Sequence, residues 1–197
     1  MGQIAANPND RRVVRTRRTL RDALIALIHH QGWDTISVQD ICARADVGRS
    51  TFYTHFADKE ELLLAGFDDL KGHLRAEATR GPRGAARSLR FVPALMEHVH
   101  DNRRLFRALV GKRAAQAVVG RFRQLVVDLI DEELALHDPD ARSRQAAAQF
   151  LAGGLVGLVS WSLDLKQPPG PAELSRLFHR LARPALSTAG SQGTVPP

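Results

Sequence analysis

The stretch SVQDICARADVGRSTFYTHF, residues 37–56, decides the fold. It opens on Ser37, a residue type whose hydroxyl takes a backbone N–H at the start of a helix. Asp40, three residues on, stands as an acidic counterpart of the capping box. Val38, Ile41 and Cys42 recur at helical spacing, so 38–45 reads as a short helix with one apolar face. Asp46-Val47-Gly48 is a tight turn in which Gly48 is expected to take the positive φ. Arg49 to His55 follows as a second helix of about two turns. Two short helices joined this way have the plan of a helix-turn-helix. Ile41, Val47 and Phe52 are placed to wedge the pair at a fixed angle. Arg49, Ser50, Thr51, Tyr53, Thr54 and His55 are left to an outer face, a set of donors suited to a DNA major groove. Tyr53 has a second reading as a core aromatic, although Phe52 and Phe56 already supply an inward pair.

Upstream, Leu20, Ala23, Leu24, Leu27 and Ile28 form one apolar stripe, predicting a helix from about Val14 to Gln31. Gly32 is expected to end it as a left-handed cap, and Trp33 and Ile36 follow in a short connector, with Trp33 read as core. Residues 11–21 hold six arginines and no acid. Such a run is either a solvated basic face or, just ahead of a helix-turn-helix, a contact to the DNA backbone or minor groove. Arg15, Arg17 and Arg18 are its candidates. Downstream, Asp58 caps a fourth helix, with Glu60 and Glu61 favourably set against its dipole. That helix runs through Leu62, Leu63, Phe67 and Leu70 to about Ala78. Its N-terminus offers backbone N–H groups to an anion, and Tyr53, His55 and Lys59 suit phosphate oxygens.

Over residues 15–65 the chain resembles the N-terminal domain of TetR (tetracycline repressor-like) transcriptional regulators. The run RTLRDALIALIHHQGWDTISVQDICARADVGRSTFYTHFADKEELLLA carries the likeness, above all its VGRSTFYTHFADKEEL portion. The resemblance implies an all-helical, two-domain homodimer on a near-palindromic operator. It implies DNA contacts at Ser37, Arg49, Ser50, Thr51, Tyr53, His55 and Lys59, with Phe52 and Phe56 in the small core. It covers about a quarter of the chain; the rest of such proteins is variable.

No strand-like alternation is sustained anywhere, so the whole chain reads as all-α. Further helices are predicted near 85–100, 102–110, 112–136, 140–166 and 171–188, after a break at Gly81-Pro82-Arg83-Gly84. The expected organisation is a disordered tail at 1–10, a DNA-binding domain at 11–60, an effector-binding and dimerisation domain at 61–189, and a second tail at 190–197. Candidate pocket residues for a small-molecule effector are Phe91, Leu95, His98, Val99, Phe106, Leu109, Phe122, Leu125 and Val126, each of which also reads as ordinary core. In the family's manner the last two long helices would pair with their symmetry mates. Phe150, Gly153, Gly154, Gly157, Trp161, Leu174, Leu177, Phe178 and Leu181 are the candidates for that interface. Arg103, Arg104, Arg107, Lys112 and Arg113 make a dense basic segment, read as a solvated or carboxylate-paired face or as a contact to an anion.

Composition sets the frame. A 197-residue chain of formal net charge +7 and sequence pI near 10.6 favours polyanion partners. The single cysteine, Cys42, allows no internal disulfide; it reads as a small buried hydrophobe or a redox sensor. The N-terminus lacks a signal-peptide pattern. The longest apolar stretch, Phe150 to Leu163, is broken by Ser160 and Ser162 and reads as too short to span a bilayer. A cytoplasmic protein is therefore expected. The sequence has no metal-binding His/Glu motif, phosphate loop, nucleotide fingerprint or nucleophile elbow, so neither a cofactor, a metal nor an enzyme is predicted. The alternative to a regulator is a related protein that has lost DNA binding and serves as a protein-interaction module; intact donors at Arg49, Thr51, Tyr53 and Lys59 argue against it.

Overall fold

A computed structural model describes residues 8–80, 89–109, 115–136 and 140–188, without the side chains of 8–10, 108–109, 115–117 and 187–188. The expected tails, the Gly81-Pro82-Arg83-Gly84 break, Gly111, Lys112, Arg113 and His137-Asp138-Pro139 fall wholly or largely outside them. Among the described residues every regular element is helical: α1 (Pro8–Gln31), a 3-10 turn (Trp33–Thr35), α2 (Val38–Ala45), α3 (Arg49–His55), α4 (Lys59–Arg80), α5 (Val92–Asp101), α6 (Arg103–Leu109), α7 (Ala115–Leu134), α8 (Ala141–Asp164) and α9 (Pro171–Thr188). The chain divides into two units between Gly66 and Phe67, so α4 belongs to both. The expected boundary at 60/61 falls in the first turn of that helix.

In the first unit, α1 begins at Pro8 rather than Val14. Proline suits a first helical position because its φ is already fixed, and Thr16 and Thr19 turn their hydroxyls back onto the Arg12 and Arg15 carbonyls. Leu20, Leu24 and Ile28 of α1 meet Trp33, Ile36, Ile41, Cys42, Phe52, Phe56 and Leu62 in a small, fully buried core. Gly32 has the expected positive φ of 77°, but its ψ of 160° lies outside the left-handed helical region, in territory open essentially to glycine alone.

In the second unit α5 packs on α9, α7 on α8, and α8 also on α6 and α9. Beyond Gly66, α4 is tied to α7 by Lys71 with Asp128, by the Arg75 guanidinium forked onto Glu132, and by Arg121 with Asp68. The Arg75 hydrogen bond holds the Glu132 carboxyl below its usual range, while for Asp128 burial pushes up and is outweighed only by the hydrogen bonds of Lys71 and Gln124 together with the charges of Lys71 and Arg121. Glu133 accepts from the backbone N–H groups of Arg90 (3.0 Å) and Phe91 (3.3 Å), capping the entry to α5. Burial pushes that carboxyl up despite the two donors. In the basic segment, Arg103 donates to the Ser162, Leu163 and Leu165 carbonyls at the end of α8, while Arg104 and Arg107 are exposed. Arg103 is thus a cap on carbonyls that no helical N–H can reach.

Helix α8 has two unlike faces. Ala148, Leu151, Ala152, Leu155, Val159, Ser162 and Leu163 are buried. Phe150 and Trp161 are 71% and 47% exposed, with Gly153, Gly154 and Gly157 exposed between them. A Cβ built on any of the three glycines would meet nothing within 4 Å. At 24 residues α8 is long and apolar enough to cross a membrane by composition, which corrects the expectation drawn from Phe150–Leu163 alone; its first face is instead packed within this unit. In α9 the expected interface stripe splits. Leu174 and Phe178 are buried, continuing into Ala182 and Leu186 at spacings of four, so they belong to the chain's own core. Leu177 is half-buried and Leu181 is 64% exposed. The physical reason is phase: residues 174, 178, 182 and 186 line one edge of the helix and 177, 181 and 184 the next.

Candidate nucleic-acid interface

The helix-turn-helix is fixed by its caps. The Ser37 hydroxyl accepts from the Asp40 N–H (3.2 Å), and Asp40 accepts from the Ser37 N–H (2.8 Å) and hydroxyl (2.7 Å). This completes the capping box that the sequence suggests, and the Ser37 hydrogen bonds pull the Asp40 carboxyl down. It also commits the only hydrogen of the Ser37 hydroxyl, leaving that side chain an acceptor rather than a donor for a phosphate. The turn differs from expectation. Asp46, not Gly48, takes the left-handed conformation (φ 52°, ψ 48°), and Gly48 is extended at φ −65°, ψ 145°. Aspartate tolerates that region because its short polar side chain satisfies local backbone groups.

Helix α3 hangs on Phe52, its one buried residue, which packs edge-on to Tyr53 and against Phe56. Arg49, Ser50, Thr51, Tyr53 and Thr54 are exposed and His55 half-buried. Tyr53, at 50% exposure, is therefore on the outer face and not in the core. The Thr54 hydroxyl is spent on the Ser50 carbonyl (2.9 Å), so Thr54 presents its methyl rather than a donor. Cys42 lies buried beneath this helix, and burial pushes its thiol up, with Arg49 partly offsetting. A protonated, enclosed thiol is the small hydrophobe of the two readings.

The arginine arm, where described, is helical. An α-helix is about 10–12 Å across, whereas the minor groove is only about 6 Å wide. Residues 11–21 therefore suit phosphates rather than minor-groove insertion. Arg11, Arg15 and Arg18 recur at i, i+4, i+7 on the side of α1 opposite Leu20 and Leu24. Arg17 instead lies over the Phe56 ring at 4.6 Å, and Arg18 pairs loosely with Asp22. At the start of α4 the expected anion site is filled by the chain's own carboxylates: Asp58 accepts from the Glu61 N–H (2.7 Å) and Glu61 from the Ala57 N–H (2.6 Å). Lys59 was expected to face phosphate. Its ammonium donates to the Ile36 carbonyl at 2.7 Å and the Trp33 carbonyl at 3.0 Å, over the Trp33 ring. Sequence spacing gave no sign of this, because its partners lie more than twenty residues upstream.

The candidate pocket residues divide. His98, Phe106 and Phe122 come together, His98 edge-on to Phe106 and Phe106 edge-on to Phe122. Phe67 of α4, absent from the expected set, joins them against Phe122. Burial, with His73 nearby, pushes the His98 imidazole down and favours its neutral form. Leu95, Val99, Leu125 and Val126 are core, and Phe91 is buried at the opposite end of α5 beside Glu133. The side chain of Leu109 lies outside the described set. Among the described residues no group of His, Cys, Asp and Glu is arranged to hold a metal.

With this geometry in place, comparisons with known proteins agree on one kind of relative. The family described as bacterial regulatory proteins, tetR family, matches residues 20–65. An HTH-type transcriptional regulator of Bacillus subtilis, YxbF, is 47% identical over 175 residues, which are 86% of this chain and 45% of that protein. The chain thus spans less than half the length of that relative. A TetR-family transcriptional regulator of Syntrophomonas wolfei superposes with a TM-score of 0.66 at 18% identity, covering 88% of this chain and 96% of the other. The TetR family repressor AlkX of a Dietzia strain, implicated in biodegradation of n-alkanes, does so at 0.62 and 18% identity, covering 88% and 98%.

Proposed function

We propose that the chain is a transcriptional regulator of the TetR family, whose model residues 20–65 match, and that it binds a near-palindromic DNA operator as a cytoplasmic homodimer and represses transcription until a small-molecule effector releases it. The observation that carries the reading is α3: a helix anchored by Phe52 alone, with Arg49, Ser50, Thr51 and Tyr53 all turned outward. Arginine at such a position reads guanine by paired hydrogen bonds, and the methyls of Thr51 and Thr54 suit thymine. Arg15 and Arg18 supply phosphate contacts that position without reading sequence. A dimer is supported by the exposed stripe of Phe150, Gly153, Gly157 and Trp161 on α8, joined by Leu181 of α9, since apolar faces of that extent are rarely left in water. Two recognition helices about one DNA turn apart then meet two half-sites.

Repression needs no surface beyond these, because a dimer on its operator blocks polymerase by occupancy. Release is assigned to the aromatic cluster of Phe67, His98, Phe106 and Phe122. Phe67 is on α4, and α4 is one continuous helix from Lys59. A ligand that parts Phe67 from Phe122 acts directly on the helix that begins at the DNA-binding unit, and effector and operator affinities are then reciprocally coupled. The test is a mobility-shift titration of the purified chain on the DNA upstream of its own gene. Specific binding that weakens steeply with salt is expected; retention of no fragment at low salt sinks the regulator reading.

A further inference from the structure

Lys59 stands where a lysine is least favoured on electrostatic grounds. It is the first residue of α4, at the positive end of the helix dipole. What holds it there lies across the domain. Two buried residues of the connector between α1 and α2, Trp33 and Ile36, turn their carbonyls to the start of α4. The Trp33 carbonyl takes the Ile36 N–H (3.3 Å) on one side, and the Lys59 ammonium completes it on the other while also donating to the Ile36 carbonyl. The same ammonium sits 4.7 Å from the centre of the Trp33 ring. Two of its three hydrogens and its best electrostatic face are thereby spent inside the protein.

We propose that Lys59 is a positioning residue of the DNA-binding unit, an ammonium pin that fastens the α1–α2 connector to the start of α4, and not a phosphate ligand. The inference rests on the regulator reading above. Ser37, which begins α2, directly follows Ile36, so the pin fixes where the helix-turn-helix starts relative to α4. Movement of α4 would reach the recognition helix through this contact.

The test compares the full-length chain with Lys59→Met, which keeps an unbranched stem and removes the donors, and Lys59→Arg, which keeps donors that can reach both carbonyls. Operator affinity is measured over a salt series well below each variant's unfolding temperature. Trp33 emission is followed in the free proteins on a Trp161→Phe background. Loss of the pin misplaces at least one base contact, so Lys59→Met should bind about tenfold or more weakly with the salt slope of the parent, and Lys59→Arg should regain most of the affinity. Trp33 emission should shift in the Met variant and return towards the parent in the Arg variant. A fall in the salt slope of about one is the mark of a lost phosphate contact and overturns the proposal, as does unchanged affinity. A parent that shows no salt-sensitive binding ends the regulator reading instead; unaltered Trp33 emission in Lys59→Met then still rejects the pin.

Discussion

Helices α3 and α8 both turn aromatic side chains to solvent, by opposite means. α3 has seven residues and one buried anchor, Phe52, so nearly all of its surface is free to carry donors. α8 has twenty-four residues and seven buried ones, and what it exposes from Phe150 to Trp161 is apolar or has no side chain at all. The first face suits a polar groove, and the second suits another helix. A short helix with one anchor depends wholly on that contact, since two turns do not persist alone in water; a long one with a full buried stripe survives the loss of any single contact. Exposure alone therefore says little until the anchoring on the opposite side is known.

The sharpest way to break the comparison is at the anchors. Phe52→Ala should cost about 3–5 kcal/mol and abolish operator binding, because nothing else buries α3. Leu155→Ala should cost about 2–5 kcal/mol yet leave α8 helical, as six other buried residues remain. Circular dichroism melts paired with anisotropy on labelled operator separate the two; intact operator binding by Phe52→Ala would contradict the single-anchor view. The outer faces come next. Gly157→Leu meets open space within the chain, so the single chain should stay folded and helical by circular dichroism. In the proposed dimer the same side chain should clash, giving a monomer by sedimentation and operator affinity lower by about 100-fold or more. A stable dimer with parental affinity would mean this stripe is not the interface. On α3, Tyr53→Ala should lower specific affinity by about 1–3 kcal/mol with an unmoved melting temperature, and equal binding by parent and variant would remove Tyr53 from the interface.

The smallest effect is a question of sign, in the turn that feeds α3. Because Asp46 holds the positive φ, Asp46→Ala should destabilise by about 1 kcal/mol. Gly48 sits at φ −65° with only ordinary contacts at 3.8 and 3.9 Å for an added Cβ, so Gly48→Ala should stabilise by about 0.4–1 kcal/mol. Had Gly48 held the turn, both signs would be reversed, and chemical denaturation of the two variants decides it.

That turn shows how far the residue pattern carries. The Ser37–Asp40 box, the wedge of Ile41 and Phe52, and the outward donors are local matters of spacing and residue type, and they are legible in the sequence. Which of Asp46 and Gly48 takes the left-handed position is settled by how α3 must be aimed onto the Phe52 anchor, and glycine's permissiveness gives the wrong preference. Lys59 illustrates the same limit at longer range, its carbonyl partners being invisible to any local rule. In α9, apolar periodicity marks Leu174, Leu177, Phe178 and Leu181 alike. Covering Leu174 and Phe178 from within the chain while leaving Leu181 bare depends on α5 and α8, which no single helix's pattern contains. In the pocket, residue type does not separate the ring cluster at His98 from the surrounding core, and Phe67 stands out no more than Leu62, Leu63 and Leu70 in the apolar pattern of α4.

The sole anchor of α3 has a consequence for how such a protein can change. Arg49, Ser50, Thr51 and Thr54 are exposed, and Tyr53 touches the core only through its edge contact with Phe52. They can be exchanged together without disturbing the scaffold that presents them. Helix α3 is in effect an interchangeable bit in a fixed chuck, and a library randomised at those five positions, with Phe52 held, should yield folded proteins and, on the proposed function, new target preferences among them.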